Sequence, residues 1–391
     1  VDLVRSGDGT LLLALSSGAE FQNDPRGLYR RTAGGDWQRV AADQFGRDRR
    51  VRRLAMSPAQ SGRFAVGTDA AGLFVTSDGG ETFTQWTSSL DPGYDSIPTR
   101  FEVTALLWTD TRLAVAVRNY GLFVSTDDGS SFTRLASLTV PDGNGGQQVP
   151  YIRSLAEDPG NPDRILVGLT GGGISESVDA GQTWDSLDGD FIGLPDDDPD
   201  DDPAPDSPKT VISMFVDPDD PDHLLMGTLA QGIWWTTDRG TTWNEADTPF
   251  ISETEFTTKP QVTDIIAHDG QLVALAVGRS VAGDRVGLVD SGDGGQTWTL
   301  DPGQPANRSG RRLISADGVL YRPTYGGGIY QVGTAVALTE TILPSATAPE
   351  YRQLEFGLSI SFGQGEVELE DADGDGTLDS LPFNLVAQDY Q

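Results

Sequence analysis

Apolar residues in this chain come in short runs, each closed by glycine, proline, aspartate or serine, and no stretch carries a helical period. Four of these runs align as "RFAVGTD", "RLAVAVR", "RILVGLT" and "HLLMGTL". Such runs predict strands covered on both faces. Each is preceded by a more mixed run, as in "VRRLAMSP", "VTALLWTD", "IRSLAEDP", "VISMFVDP" and "VTDIIAHD". Each is followed by a glycine and a third apolar run, as in "GLFVTSDGG" and "GLFVSTDDG". Short strands joined by tight turns predict antiparallel meanders.

The third strand always leads into the same eight residues. "TSDGGETF", "STDDGSSF", "SVDAGQTW", "TTDRGTTW" and "SGDGGQTW" align without gaps, and a decayed copy ends at Trp37. The pattern singles out Asp78, Gly80 and Phe83; Asp127, Gly129 and Phe132; Asp179, Gly181 and Trp184; Asp238, Gly240 and Trp243; and Asp293, Gly295 and Trp298. An aspartate can accept backbone N–H groups just ahead of it and close a turn. The glycine supplies positive φ, and the aromatic ring buries a large apolar area under the hairpin. These aspartates are therefore expected to hold the fold together rather than to touch a substrate. The segment after the aromatic supplies a fourth strand. Four antiparallel strands in about fifty residues make one blade of a β-propeller.

Counting along the chain predicts an all-β, seven-bladed β-propeller over residues 1–337, with six blades as the alternative, and a C-terminal β extension over 338–391. Blade one begins with an innermost strand, so the ring is expected to close without exchanging strands. The boxes resemble those of the Asp-box, or BNR repeat, family. Their pairing with "DPGNPDRILVG" and "DPDDPDHLLMG" is similar to sortilin-type, photosystem assembly factor and xyloglucanase-type propellers. The resemblance specifies fold far better than function, because that family spans receptors, assembly factors and glycosidases.

Composition narrows the chemistry. The 391 residues carry 59 acidic and 27 basic side chains, a net charge of −32. Such a surface repels nucleic acid and anionic membranes, and no apolar run is long enough to span a bilayer. The absence of cysteine excludes disulfides and thiolate chemistry. The two histidines, His223 and His268, stand in or beside turns and read as ordinary surface residues. A chain opening on Val1 reads as an exported protein, extracellular or at the cell surface, whose signal peptide has been removed.

The resemblance offers two enzyme readings. A sialidase needs an Arg-Ile-Pro motif that is missing here, although Arg118, Arg279 and Arg322 stand on loops where they could clamp a carboxylate. A xyloglucanase-type enzyme implies paired aspartates in a cleft between two propellers, of which this chain has one. No phosphate loop, Ser-His-Asp set or zinc spacing stands out. The loop at 195–208 holds seven aspartates and five prolines, and reads as an extended linker or a cation-binding contact.

The extension carries the remaining candidates. Leu354, Phe356, Leu358, Ile360 and Phe362 alternate strictly, which predicts a strand with one apolar face that something must cover. Docking within the molecule and strand addition to a second copy both satisfy it. Asp371, Asp373, Asp375, Thr377 and Asp379 then follow the 1-3-5-7-9 spacing of a calcium loop, with Gly376 at the sharp turn. This resembles thrombospondin type 3 and dockerin-like loops, although Pro382 stands where an EF-hand has its bidentate glutamate. Ca2+ is thus the expected cofactor. The expected partners are a second copy, a surface protein or a glycan. Together these features favour a non-enzymatic structural or adhesive module that self-assembles into a filament or surface layer. A glycoside hydrolase and an assembly-factor or receptor propeller are the alternatives.

Overall fold

The computed structural model describes residues 2–6, 8–15, 27–32, 35–40, 45, 50–60, 62–86, 101–129, 131–141, 146–187, 210–250, 259–277, 287–301, 311–316, 318–324, 328–332, 351–353 and 359–361. All regular structure among them is β. Six four-stranded sheets and one three-stranded sheet follow one another, each a meander of chain neighbours. Every pairing within them is antiparallel.

The innermost strands are Asp2–Arg5, Val51–Met56, Val103–Trp108, Ile152–Asp158, Val211–Val216, Gln261–His268 and Ile314–Ala316. Each touches the next, and Ile314–Ala316 touches Asp2–Arg5, so the sheets close a ring. The first sheet is built wholly from its own strands in sequence, as expected. The expected fourth strand of the last sheet lies outside the described residues. The second strands are the core: Phe64–Thr68, Leu113–Val117 and Leu224–Thr228 are buried along their whole length. Their side chains fill the layers between neighbouring sheets. Ala65, Leu73 and Val75 of the second sheet, for example, pack against Val103, Leu113 and Val115 of the third. Fourth strands are shorter than the sequence suggests, only two residues in Thr84–Gln85 and Thr133–Arg134.

Two devices join the sheets. Near the axis, the register shifts between Val51 and Arg53, Ile152 and Ser154, Val211 and Ser213, and Val262 and Asp264. A bulge of this kind re-aims one side chain. Ser154 Oγ donates to the Val211 carbonyl of the next sheet at 3.2 Å, and Ser213 Oγ to the Val262 carbonyl at 2.7 Å. Gly227 pairs with Ser213, and a Cβ there would lie 2.6 Å from the Val262 carbonyl. The glycine of "LLMGTL" thus allows close approach between sheets.

The second device sits where the second strands begin. Arg63 reaches the Asp128 carbonyl and Arg112 the Pro162 carbonyl. Arg164 reaches the Pro221 carbonyl at 2.5 Å, and His223 the Gly294 carbonyl at 2.8 Å. These are the first residues of the four aligned runs "RFAVG", "RLAVA", "RILVG" and "HLLMG". The surface role expected for His223 is corrected: it is 8% exposed, with Nδ1 3.0 Å from the Asp217 carboxylate.

The C-terminal extension contributes one described hairpin, Tyr351–Gln353 paired with Ser359–Ser361. Ile360 lies in its second strand, opposite Arg352. Leu354, Phe356, Leu358 and Phe362 lie outside the described residues, as do the 195–208 loop and the 371–379 loop.

Candidate functional site

The five repeated turns share one geometry. Asp78 Oδ1 accepts from Thr76 Oγ1 at 2.6 Å and from the Thr82 N–H at 3.0 Å. Asp127 accepts from Ser125 Oγ at 2.7 Å and the Ser131 N–H at 2.8 Å, and Asp179 from Ser177 Oγ and the Thr183 N–H, both at 2.8 Å. Asp238 does the same with Thr236 and Thr242, and Asp293 with Ser291 and Thr297. Gly80, Gly129, Gly181, Gly240 and Gly295 all have positive φ. Their N–H groups donate to the same hydroxyls that serve the aspartates. Trp243 and Trp298 are buried beneath, while Phe83, Phe132 and Trp184 are partly so. Hydrogen bonds from the neighbouring hydroxyls and N–H groups pull Asp127, Asp179 and Asp293 down to about 2. Both oxygens of each carboxylate are engaged with their own turn, Oδ2 by the hydroxyl of the residue four places on, so these aspartates serve the fold.

The charged chemistry collects instead on the axis. A cavity of about 210 Å³ opens there, lined by strands of six sheets and by the residues leading into the seventh. Its charged lining is Asp2, Arg53, Arg153, Asp264, Arg311 and Arg312. Asp2 accepts the Leu54 N–H at 2.7 Å and stands 3.3 Å from Arg312 Nη1. Asp264 accepts the Leu313 N–H at 2.6 Å. The two aspartates thus play the same part, each holding the leucine of an Arg-Arg-Leu run in the next sheet. Desolvation raises Asp264 to about 6 against the pull of Arg312. Arg53 falls to about 10, first through desolvation, which outweighs the attraction of Asp2, and then through Arg311, Arg312 and Arg52. Asp2 holds Arg312 above the usual arginine range.

Arg153 carries the site outward. Its Nε donates to Thr170 Oγ1 at 2.9 Å, and its guanidinium lies 4.3 Å from the Tyr151 ring centroid. Arg118 lies 5.0 Å from the same ring and donates to Glu102 at 3.0 Å, and Glu102 also pairs with Arg52. Burial works to raise the Glu102 carboxyl, yet the bonds from Arg118 and Arg52 hold it below the usual range. Of the three arginines that could form a clamp, the two within the described residues stand in different settings. Arg118 is at this rim, Arg322 is fully buried in the last sheet, and Arg279 lies outside the described residues. The arginines that do converge were legible only as the repeated "RRL" of "VRRLAMSP" and "RRLISAD".

Asp290 is also raised to about 6, by desolvation and then by Asp301, but it sits on the third strand of the sixth sheet, away from the axis. Among the described residues, no group of three or more His, Asp or Glu side chains could hold a metal. No helix there is long and apolar enough to cross a membrane.

No family model matches the chain. A xyloglucanase from a Paenibacillus species is 27% identical over an alignment of 273 positions that covers 58% of this chain and 24% of that protein. A xyloglucanase from Acetivibrio thermocellus is 26% identical over an alignment of 204 positions that covers 45% of this chain and 22% of that protein. The chain thus spans about a quarter of the length of the curated relatives it matches. Among solved structures, a xyloglucanase from Xanthomonas campestris superposes with a TM-score of 0.59 at 18% identity, covering 84% of this chain and 51% of that one. These findings overturn the expectation of a non-enzymatic, self-assembling structural module, because the curated relatives are glycan-cleaving enzymes and the alternative of a glycoside hydrolase fits them. The ring of antiparallel sheets, with its propeller-like neighbours, makes the fold a β-propeller.

Proposed function

We propose that this chain is a propeller of an exported glycoside hydrolase acting on xyloglucan-type β-glucan, and that it builds one wall of the glycan site. The observation that carries the reading is its sequence likeness to xyloglucanases. The resemblance of its repeats to xyloglucanase-type propellers implies a cleft shared between two such rings. The seven sheets are read as seven blades, with the five repeated turns as Asp boxes that stiffen them. Because the Asp-box carboxylates are committed to their turns, glycan contacts are assigned to the opposite face, where Glu102, Arg118 and Tyr151 of the third and fourth sheets cluster beside Arg153 of the axial cavity. Glu102, held ionised, is suited to accept sugar hydroxyls.

The test is to incubate the intact protein with xyloglucan and its oligosaccharides. Saturable oligosaccharide binding is expected of this wall, with E102A weakening it about tenfold, the effect of losing one charge-assisted contact, and release of reducing ends once the second ring completes the cleft. A folded protein that neither binds nor cleaves xyloglucan overturns the reading.

A further inference from the structure

We propose that the axial cavity is a binding site for a compact carboxylate anion, no larger than a single sugar acid. The argument starts from charge. The protein carries a net charge of −32, yet four arginines and only two aspartates line this one cavity. The aspartates are already engaged: Asp2 holds the Leu3 and Leu54 N–H groups and Arg312, and Asp264 holds the Leu313 N–H. Arg53 donates to its neighbour's backbone, the Arg52 carbonyl, at 3.0 Å. Arg153 is held by Thr170 and stacked on Tyr151. Neither contact neutralises a guanidinium, so the lining keeps an excess of positive charge even with both aspartates ionised.

Low-dielectric walls make such an excess costly and focus it on whatever enters. The fall of Arg53 to about 10 is the cost of holding a cation there. An anion between Arg53, Arg311 and Arg312 relieves that cost. Guanidinium pairs favour a planar carboxylate, which they grip with parallel N–H···O bonds. The volume of about 210 Å³ admits a small ring and excludes a polymer. Gln261 and the apolar Leu107 and Met214 complete a lining suited to a hydroxylated, partly apolar body. The stacked Arg153 and the rim arginines Arg52 and Arg118 give the site a cationic approach. This inference stands apart from the hydrolase reading, since the cavity would take its anion whether or not a glycan is cleaved outside it.

Calorimetric titration of the intact protein at low salt and pH 7 tests it, with glucuronate, glucose and inorganic phosphate as separate probes. Saturable one-to-one binding of glucuronate is expected, with no binding of glucose and weaker binding of phosphate. R53Q should weaken glucuronate at least tenfold. R311Q, at the exposed mouth, should weaken it severalfold with an unchanged melting temperature, which keeps the test usable if R53Q does not fold. Raising the salt to about 0.5 M should weaken binding further, because screening is short-ranged at that strength. No glucuronate binding, equal binding of glucose, tighter binding of phosphate, or R311Q indistinguishable from wild type would each overturn the proposal.

Discussion

Arg164 and His223 hold the same position in neighbouring sheets, and both donate across to the backbone of the following sheet, at 2.5 Å to Pro221 and 2.8 Å to Gly294. Arg164 is 3% exposed and pairs with Asp158 at 3.3 Å and with Glu176, itself 6% exposed. Arg239 of the next sheet closes the set by reaching Glu176 at 2.8 Å. Truncating one member of such a buried set strands the others. R164M is expected to destabilise the protein by about 3–5 kcal/mol in denaturant unfolding, and R164M/E176L by less, since the double change removes one of the two stranded carboxylates.

H223A is expected to cost about 1–2 kcal/mol, from the unmet Gly294 carbonyl and Asp217 contacts. H223R should recover part of that loss, because arginine serves this position in three preceding sheets. Unfolding midpoints of the two variants at one pH check the order.

Two glycines should fail for different reasons. At Gly227 the backbone is ordinary but space is lacking, with a Cβ 2.6 Å from the Val262 carbonyl and closer still to Ser213 Oγ. G227A is expected to cost about 1–3 kcal/mol through overpacking, and G227A/S213A less. At Gly270 nothing lies within 4 Å of a Cβ, but φ is +77° in the turn after Asp269. G270A should cost about 1 kcal/mol from backbone strain alone, and no second-site change to a side chain should rescue it.

Acid stability has two opposed limbs. Asp127, Asp179 and Asp293 titrate near 2 when folded, below an unfolded aspartate near 3.9. Their contribution is complete above about pH 4 and is lost as the pH falls toward 2. Asp264 and Asp290 titrate near 6 when folded. Their protonated forms favour the fold below about pH 4, and that gain disappears as the pH rises through 6. Melting temperature should therefore peak near pH 4 to 5. D264N should flatten the fall between pH 4 and 6, and D127N/D179N/D293N should flatten the fall below pH 4.

Calcium at Asp371, Asp373, Asp375, Thr377 and Asp379 remains a proposal from the ligand spacing. Titration of Ca2+ into metal-free protein should show saturable uptake that D373A/D375A abolishes. The absence of uptake by the intact protein would remove it.

The sheets were legible because strand periodicity and turn chemistry are local: "RLAVAVR" already specifies a strand buried on both faces, and "SGDGGQTW" a closed turn. The axial site was not legible, because Arg53 and Arg312 lie far apart in the chain and meet only through ring closure. His223 was misjudged for a related reason. Its turn position suggested exposure, yet the next sheet covers it. The glycoside hydrolase reading ranked only as an alternative because the box aspartates are bound up in turns, so nothing in the repeat advertises catalysis.

The manner of closure has a kinetic consequence. Every strand pairing in the seven sheets joins chain neighbours, so each sheet can form before its ring exists. Contact order is accordingly low within sheets, and among the described residues the ring-closing event is the most long-range: the docking of Ile314–Ala316 against Asp2–Arg5, with Arg312 beside Asp2. Topology of this kind favours rapid stepwise assembly followed by a slower final seal. Among the described residues the seam between the last and first sheets is clasped by side chains and shares no strand, so it is where the folded ring should first come apart under force.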